Sequence, residues 1–516
     1  MRRLGSPSPF RRGGRGVRRT SEGDKHMPLI RINLPGGIVP AGDLLAILEA
    51  AEAADIEHLH IGTRQQLLVP VEDAQLPALT EALATAGIAH EIDAEQYPNI
   101  SSSYVVEDVF HNTAWLREGV YKDILDLFDF QPRLKINIID KGQTFVPFFT
   151  GNLNFITSDT PNYWYLYVRF PKHNQLYCWP SLVYSEDIAA VSGAIERVVF
   201  GNRERFYDQP AADGTLLYGL VSAQQPFGFQ PITAPLVLPP FTLPYYEGFN
   251  RYGSKIWLGI YRRSEQFSLA FLKDACQLCL RTRIGQLCTT PWKSLIIKGI
   301  DPADRPLWDA VLRRHRLNVR HAANELNWQV EDDCPLGLAL KHELVRHFNE
   351  EDIRTYQLCF AIKTKPKTGL FGSIVVRAQQ GGLSQTGLHA EQYELLHTRD
   401  FNPNSKDFVS FRQKVARENL PWYLTQLCDQ FYEQQAAATL PLPVLEEAAA
   451  EPTAPAAGLH QCRHCRTVYD ESLGDAGQGI APDTPWAMLA GYECSTCEAP
   501  MSEFVEVRGS VSEWLA

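Results

Sequence analysis

The chain has 516 residues, 45% hydrophobic and 21% charged, with a formal net charge of −11. That length accommodates about three to five ordinary domains. The acidic balance argues against general nucleic-acid binding, which needs a positive surface. No apolar run reaches the roughly eighteen residues of a membrane span, so a globular protein is expected. Eleven cysteines, an odd number unevenly placed, make a poor disulfide framework and fit a reducing, cytoplasmic setting.

The first 26 residues differ from the rest. Seven arginines and Lys25 stand against Glu22 and Asp24, so this stretch is net +6 and the remainder net −17. Three readings stay open: a translated extension ahead of a start at Met27, a disordered basic arm, or a targeting segment. Ordered sequence is expected from Leu29. LIRINLPGG has the pattern of a strand with a Gly turn, and Asp43 to Ala54 that of a helix. IEHLHIG and RQQLLVPV suggest two strands about Gly62 and Thr63, followed by a helix from Gln75 to Ala86. This β-α-β-β-α order describes an α+β unit with helices covering one face of a sheet.

An aromatic and Asn-rich stretch follows from Asn112 to Tyr207. LKINIID, FVPFF and WYLYVRF are strand-like, and Asp187 to Phe200 is helical. The earlier element order then returns about 227 residues on. SKIWLGIYRR is a strand, Gln266 to Leu280 a helix, RTRIGQL with WKSLIIKGI a strand pair, and Leu307 to His315 a second helix. Aligning Thr63–Leu68 with Thr290–Leu295 implies an internal duplication. Pro335 to Phe348 is helical. QLCFAIK is a strand that could duplicate LKINIID, and FRQKVARENLPWYLTQLCDQFYEQQ closes the large part as a helical run.

Residues 434–459, rich in Ala, Pro and Glu, have little to pack and suggest a flexible linker. The tail beyond is too small for an adequate core without a staple. It supplies Cys462 and Cys465, then Cys494 and Cys497, as two CxxC pairs. Facing CxxC turns place four sulfurs at tetrahedral corners, a site suited to iron or zinc. Tyr469, Ile480, Trp486, Tyr492 and Phe504 can build a small aromatic core around it. Between Gln461 and Arg508 eight acids face three basic residues, a charge that could steer docking to a basic patch on a redox partner.

This tail resembles the rubredoxins in its CxxC pair, Tyr469-Asp470, Gly474, Gly479-Ile480-Ala481-Pro482-Asp483-Thr484, Trp486, Leu489, second CxxC and Phe504. The resemblance implies one iron, Fe(III)/Fe(II), on Cys462, Cys465, Cys494 and Cys497, carrying one electron. Arg466 and Glu498 depart from the family's glycine after each pair, and Ser495 from its usual proline.

The body, roughly residues 28–430, resembles the sirohaem-dependent nitrite and sulfite reductases, which are duplicated. Gly62-Thr63-Arg64-Gln65 falls on that family's Thr-Arg-Gln stretch. Pro132-Arg133-Leu134-Lys135 falls on its basic pair, and Thr289-Thr290-Pro291-Trp292-Lys293 on the second-half equivalent. The resemblance implies an anionic cofactor, sirohaem, near Arg64, Arg133, Lys135 and Lys293. From the residues alone, these four are candidates for a converged anion pocket. It also implies a 4Fe–4S cluster on four cysteines, but only Cys334 matches. The position six residues earlier is Trp328, and TKPKTGLFGS has no cysteine, so a cluster is not expected. Cys276 and Cys279 lie in an apolar helical stretch, where buried inert thiols are expected.

The expected fold class is therefore α+β and multidomain. After a basic extension at 1–27 come ferredoxin-like half-domains at 28–95 and 251–318, each followed by an α/β domain, at 96–250 and 319–433. A rubredoxin-like domain at 460–508 follows the linker. The expected function is one-electron transfer through the tethered iron centre, serving a redox partner protein. Two alternatives are a sirohaem-dependent nitrite or sulfite reductase fed by that centre, and a non-catalytic binding or assembly scaffold.

Overall fold

The computed structural model describes residues 27–171, 175–207, 212–224, 227–364, 371–379, 392–438 and 458–507. The basic N-terminal stretch and positions 439–457 of the expected linker lie outside the described residues. The chain divides into two compact units, Met1–Ala436 and Ala437–Ala516.

In the first unit, alternation puts Ile30 and Ile32 of the strand Leu29–Ile32 into the core, while the Arg31 guanidinium turns out to the Ala94 carbonyl. This strand pairs antiparallel with Leu67–Pro70, which pairs with His58–Ile61. The helix Ala41–Ala53 buries Leu44, Ile47, Leu48 and Ala51, the spacing of one helical face. Each large side chain of that face contributes about 1.5–3 kcal/mol on leaving water.

The second half repeats this order. The strand Lys255–Tyr261 is followed by the helix Leu269–Arg281, the strands Gln286–Thr289 and Ser294–Ile300, and the helix Arg305–Arg314. Paired helices match in length, thirteen residues for the first of each half and ten for the second. The duplication is therefore visible in the fold, but its alignment differs by one residue from the sequence-based one. Ile61 pairs with Leu67 where Thr289 pairs with Leu295. The turns agree: Gly62 N–H donates to the Gln66 carbonyl, and Thr290 N–H to that of Ser294. Arg64 thus corresponds to Trp292, and Gln65 to Lys293; both Gln65 and Lys293 have positive φ. Sequence identity is too low here to register the halves, whereas the hydrogen-bond ladder does so without ambiguity.

The halves also exchange edge strands. Ile38–Pro40 from the first pairs with Gln286–Thr289 of the second. Phe267–Ser268 from the second pairs with His58–Ile61 of the first. Both helices and both sheets contribute to one continuous apolar core.

Two mixed sheets complete this unit. In the first, Ser101–Ser102, Ile136–Ile139 and Leu153–Thr157 run parallel, and Tyr163–Arg169 and Ser181–Tyr184 then continue antiparallel. In the second, Trp328–Val330, Phe360–Lys363 and Ile374–Gln379 run parallel, followed by antiparallel Gln392–Thr398 and Phe408–Ala416. LKINIID and QLCFAIK thus supply the second strand of each. The helix Glu118–Asp126, absent from the sequence reading, buries only Tyr121 and Ile124. The closing helix Leu420–Ala438 extends into the first positions of the expected linker. Among the described residues, no helix is long and apolar enough to cross a membrane.

The second unit is a three-stranded antiparallel sheet, with Leu459–Cys462 between Val468–Asp470 and Phe504–Val507. The rest is turns and single 3₁₀ turns. The chain here is too short to form a layered core, and the turn residues dominate.

Candidate metal centre

Cys462 ends the central strand of the small unit, opposite Phe504. The chain then turns sharply. Cys462 N–H donates to the Thr467 carbonyl at 2.8 Å, and Arg466 N–H to the Cys462 carbonyl at 2.9 Å. The second pair repeats this knuckle, with Cys494 N–H on Ala499 at 2.8 Å and Glu498 N–H on Cys494 at 2.9 Å. Each knuckle needs left-handed backbone after its second cysteine, and Arg466 and Glu498 supply it at φ 65° and 60°. A side chain there costs about 1–2 kcal/mol relative to glycine.

The two knuckles bring four Sγ atoms within 4.8 Å of one another. Cys465 and Cys494 sulfurs are 3.3 Å apart, and those of Cys462 and Cys497 3.6 Å. A tetrahedral site with metal–sulfur bonds of about 2.3 Å has edges of about 3.8 Å, so the residues fit a metal ion held by four thiolates. Among the described residues this is the one cluster of His, Cys, Asp and Glu side chains gathered closely enough for a metal. Cys462 and Cys494 are buried, Cys465 is partly exposed and Cys497 exposed. One side of the sulfur cage therefore faces solvent.

Thr467 and Thr496 join the two knuckles. Thr467 Oγ1 lies 3.1 Å from Cys465 Sγ and 2.9 Å from Thr496 Oγ1. This hydroxyl pulls the Cys465 thiol down to about 6. A thiolate accepts only, so a metal-bound Cys465 takes the single Thr467 hydrogen, and Thr496 then donates to Thr467.

The aromatic shell forms as expected. Trp486 stacks on His460 at 4.3 Å and meets Phe504 at 5.0 Å, and Tyr469 and Tyr492 lie edge-on at 5.3 Å. Both tyrosines are anchored, Tyr469 on the Thr484 carbonyl and Tyr492 on Asp475. Gly474 is required: φ is +68°, and a Cβ there would sit 2.5 Å from the Ala481 carbonyl oxygen.

The four cations expected to form an anion pocket have separate surroundings. Arg64 is buried and donates to the Asn99 and Ile136 carbonyls and to Asn137 Oδ1. Burial lowers it to about 10. Arg133 is exposed and lies over the Phe200 ring at 4.1 Å. Lys135 pairs with Glu95 at 2.8 Å. Lys293 is buried against Glu265 at 2.6 Å, with Asp332 at 3.6 Å.

The body cysteines are packed as hydrophobes. Cys276 and Cys279 fall on the inward face of Leu269–Arg281, and burial pushes Cys276 up to about 12. Cys334 instead caps the helix Pro335–Glu350, its sulfur accepting the Gly337 N–H at 3.4 Å. Trp328 stacks on Phe360.

Residues 459–504 match the rubredoxin family model. The probable rubredoxin HupI of Bradyrhizobium diazoefficiens is 44% identical over 48 residues, which are 70% of that protein and 9% of this chain. The chain belongs to the rubredoxin family. Rubredoxin-1 of Pseudomonas putida is 39% identical over 56 residues, 10% of this chain. The anaerobic nitric oxide reductase flavorubredoxin of Aliivibrio fischeri is 32% identical over 82 residues, 15% of this chain. The chain spans 32% and 16% of the length of these two.

Residues 21–86 match the nitrite/sulfite reductase ferredoxin-like half-domain model. The NirA protein of Mycobacterium tuberculosis superposes with a TM-score of 0.60 at 17% identity, over 78% of this chain and 81% of that one. At that identity the likeness establishes a shared fold. The molecule is thus a rubredoxin module joined to a body of reductase-like fold.

Proposed function

We propose that this protein carries single electrons between a redox partner protein and its own body through one iron held by Cys462, Cys465, Cys494 and Cys497. The observation that carries this reading is the gathering of four cysteine sulfurs within 4.8 Å, inside a module of the rubredoxin family. Bound there, iron supplies a ferric/ferrous couple without a change of ligands. The chain's own contribution is to fix four thiolates, keep Cys462 and Cys494 from water, and present Cys497 toward a partner. The module's eight acids against three basic residues favour a partner with a basic docking face. A reducing, cytoplasmic setting fits the uneven cysteines.

The test is purification from iron-replete cells, with metal analysis and visible and electron paramagnetic resonance spectra. One iron per chain, with visible bands that dithionite bleaches, is expected. Stoichiometric zinc in a colourless protein would refute the reading.

The shared fold with NirA favours a second reading, in which the body is a sirohaem-dependent reductase fed by the module. Of the proposed cofactor-binding residues, Arg64 supports it best, as a buried guanidinium whose hydrogen-bond partners are all neutral. A chlorin-type absorption band that responds to sulfite or nitrite would favour this reading, and its absence from protein with full iron loading would reject it. In either case we assign the half-domains to 28–95 and 251–318, the α/β domains to 96–250 and 319–433, and the terminal module to 460–508.

A further inference from the structure

The loop before the strand Phe408–Ala416 packs on the first mixed sheet in an unusual way. Asn404 is 1% exposed. Its Oδ1 accepts the Phe148 N–H at 3.3 Å, contributed from 256 residues away. That bond fixes the amide's orientation, since the flipped amide would set two donors against each other. Nδ2 is then left buried without a partner, an arrangement that costs about 1–3 kcal/mol unless something accepts from it.

Two cations share this region. Arg169, at the end of the strand Tyr163–Arg169, donates Nη2 to the Thr150 carbonyl at 2.7 Å, two residues from Phe148. Lys406, two residues from Asn404, holds its ammonium 5.5 Å from the centre of the buried Phe371 ring. Among the described residues, neither Arg169 nor Lys406 has a carboxylate partner. The groups acting on the Lys406 charge are Arg169 and the Cys359 thiol. Burial, with Arg169 adding to it, lowers Lys406 to about 7, and burial also lowers Arg169. Two cations and an amide donor thus occupy one largely dry region with no anion to meet them. Uncompensated charge of this kind is retained at a cost and is otherwise selected away.

We propose that Arg169, Lys406 and Asn404 form a binding site for an anionic group, a carboxylate or a small oxyanion. Arg169 and Lys406 supply the charge, and Asn404 Nδ2 the directed hydrogen bond. Phe371 forms an apolar wall that excludes water and strengthens both interactions. The site lies wholly in the body and needs no metal in the rubredoxin module, so it stands or falls separately from the electron-transfer reading.

The full chain is titrated with inorganic phosphate and with sulfite, against chloride at equal ionic strength, by calorimetry and thermal unfolding. Material released on denaturation is analysed by mass spectrometry. Saturable binding of either oxyanion assigns a free ion, whereas release of a carboxylate-bearing cofactor assigns the site to that cofactor. Either result supports the site if Arg169→Met and Lys406→Met weaken binding or retention at least tenfold. Asn404→Asp supplies an internal counter-charge while keeping the acceptor for Phe148. It is expected to raise the unfolding midpoint of the ligand-free chain and to abolish the response to anions. A merely structural role for these residues would lower that midpoint instead. Absence of both oxyanion binding and a released cofactor, or a lowered midpoint in both Lys406→Met and Asn404→Asp, would overturn the proposal.

Discussion

The terminal module and the body treat cysteine in opposite ways. In the module, two short turns expose sulfur to sulfur, and almost every other residue serves those turns. In the body, seven cysteines are spread through cores and caps, where burial pushes several thiols far above their ordinary range. The body instead concentrates cations: Arg64, Arg169 and Lys406 are buried without carboxylate hydrogen bonds among the described residues. A metal site is written in four residues at fixed spacing. A charge site of this kind is assembled from distant strands and loops.

The sharpest way to break this comparison is at the sulfurs. Cys494→Ser is expected to abolish metal binding and unfold residues 458–507. Loss of the visible bands and new proteolytic cleavage there would report it, with the body's thermal transition unchanged. The module's dependence on turn geometry is tested next. Gly474→Ala adds a Cβ 2.5 Å from a carbonyl oxygen at positive φ and should destabilise the module by about 3 kcal/mol in denaturant titration.

In the body, pH is the probe. Unfolded Lys406 keeps its proton up to about 10.5, while the folded residue releases it near 7. The unfolded state therefore binds more protons between these values, so this group makes stability rise with pH across that window. Denaturation midpoints of the ligand-free chain should show the rise, and Lys406→Met should remove it.

A smaller effect is expected at the strained knuckles. Arg466→Gly and Glu498→Gly should each stabilise the module by about 1 kcal/mol without loss of metal. The smallest is a tuning effect. Thr467→Val removes a hydrogen bond from the Cys465 sulfur, a bond worth more to the more negative reduced centre. Voltammetry should show a lower potential at unchanged metal content.

These contrasts also explain what could be read from the chain. The module was legible because its ligands, glycines and aromatics are local and their spacing is the geometry. The duplicated order was legible from hydrophobic patterns, but its register slipped by one residue. Thr63 and Thr290 look alike, whereas the hydrogen bonds match Gly62 to Thr290. Arg64, Arg133, Lys135 and Lys293 were chosen by position in a motif, and their partners Asn99, Phe200, Glu95 and Glu265 could not be foreseen without the fold. Asn404 and Lys406 gave no signal, because a loop residue's partner 256 positions away leaves no local pattern. The Thr467–Thr496 link was open to inspection: two threonines flank the second and fourth cysteines, and only their facing geometry was missing.

The exchanged edge strands bear on how the body can be made and altered. Each sheet is finished by a segment from the other half, Ile38–Pro40 in one direction and Phe267–Ser268 in the other. Neither half can close its sheet alone, so a chain cut between them leaves two raw hydrogen-bonding edges seeking a partner. Synthesis must reach the second half before the first is complete, which makes folding late, non-local and slow. It also means that loss of one half in evolution would remove both, and that the duplication persists as a mechanical bond whatever chemistry the body retains.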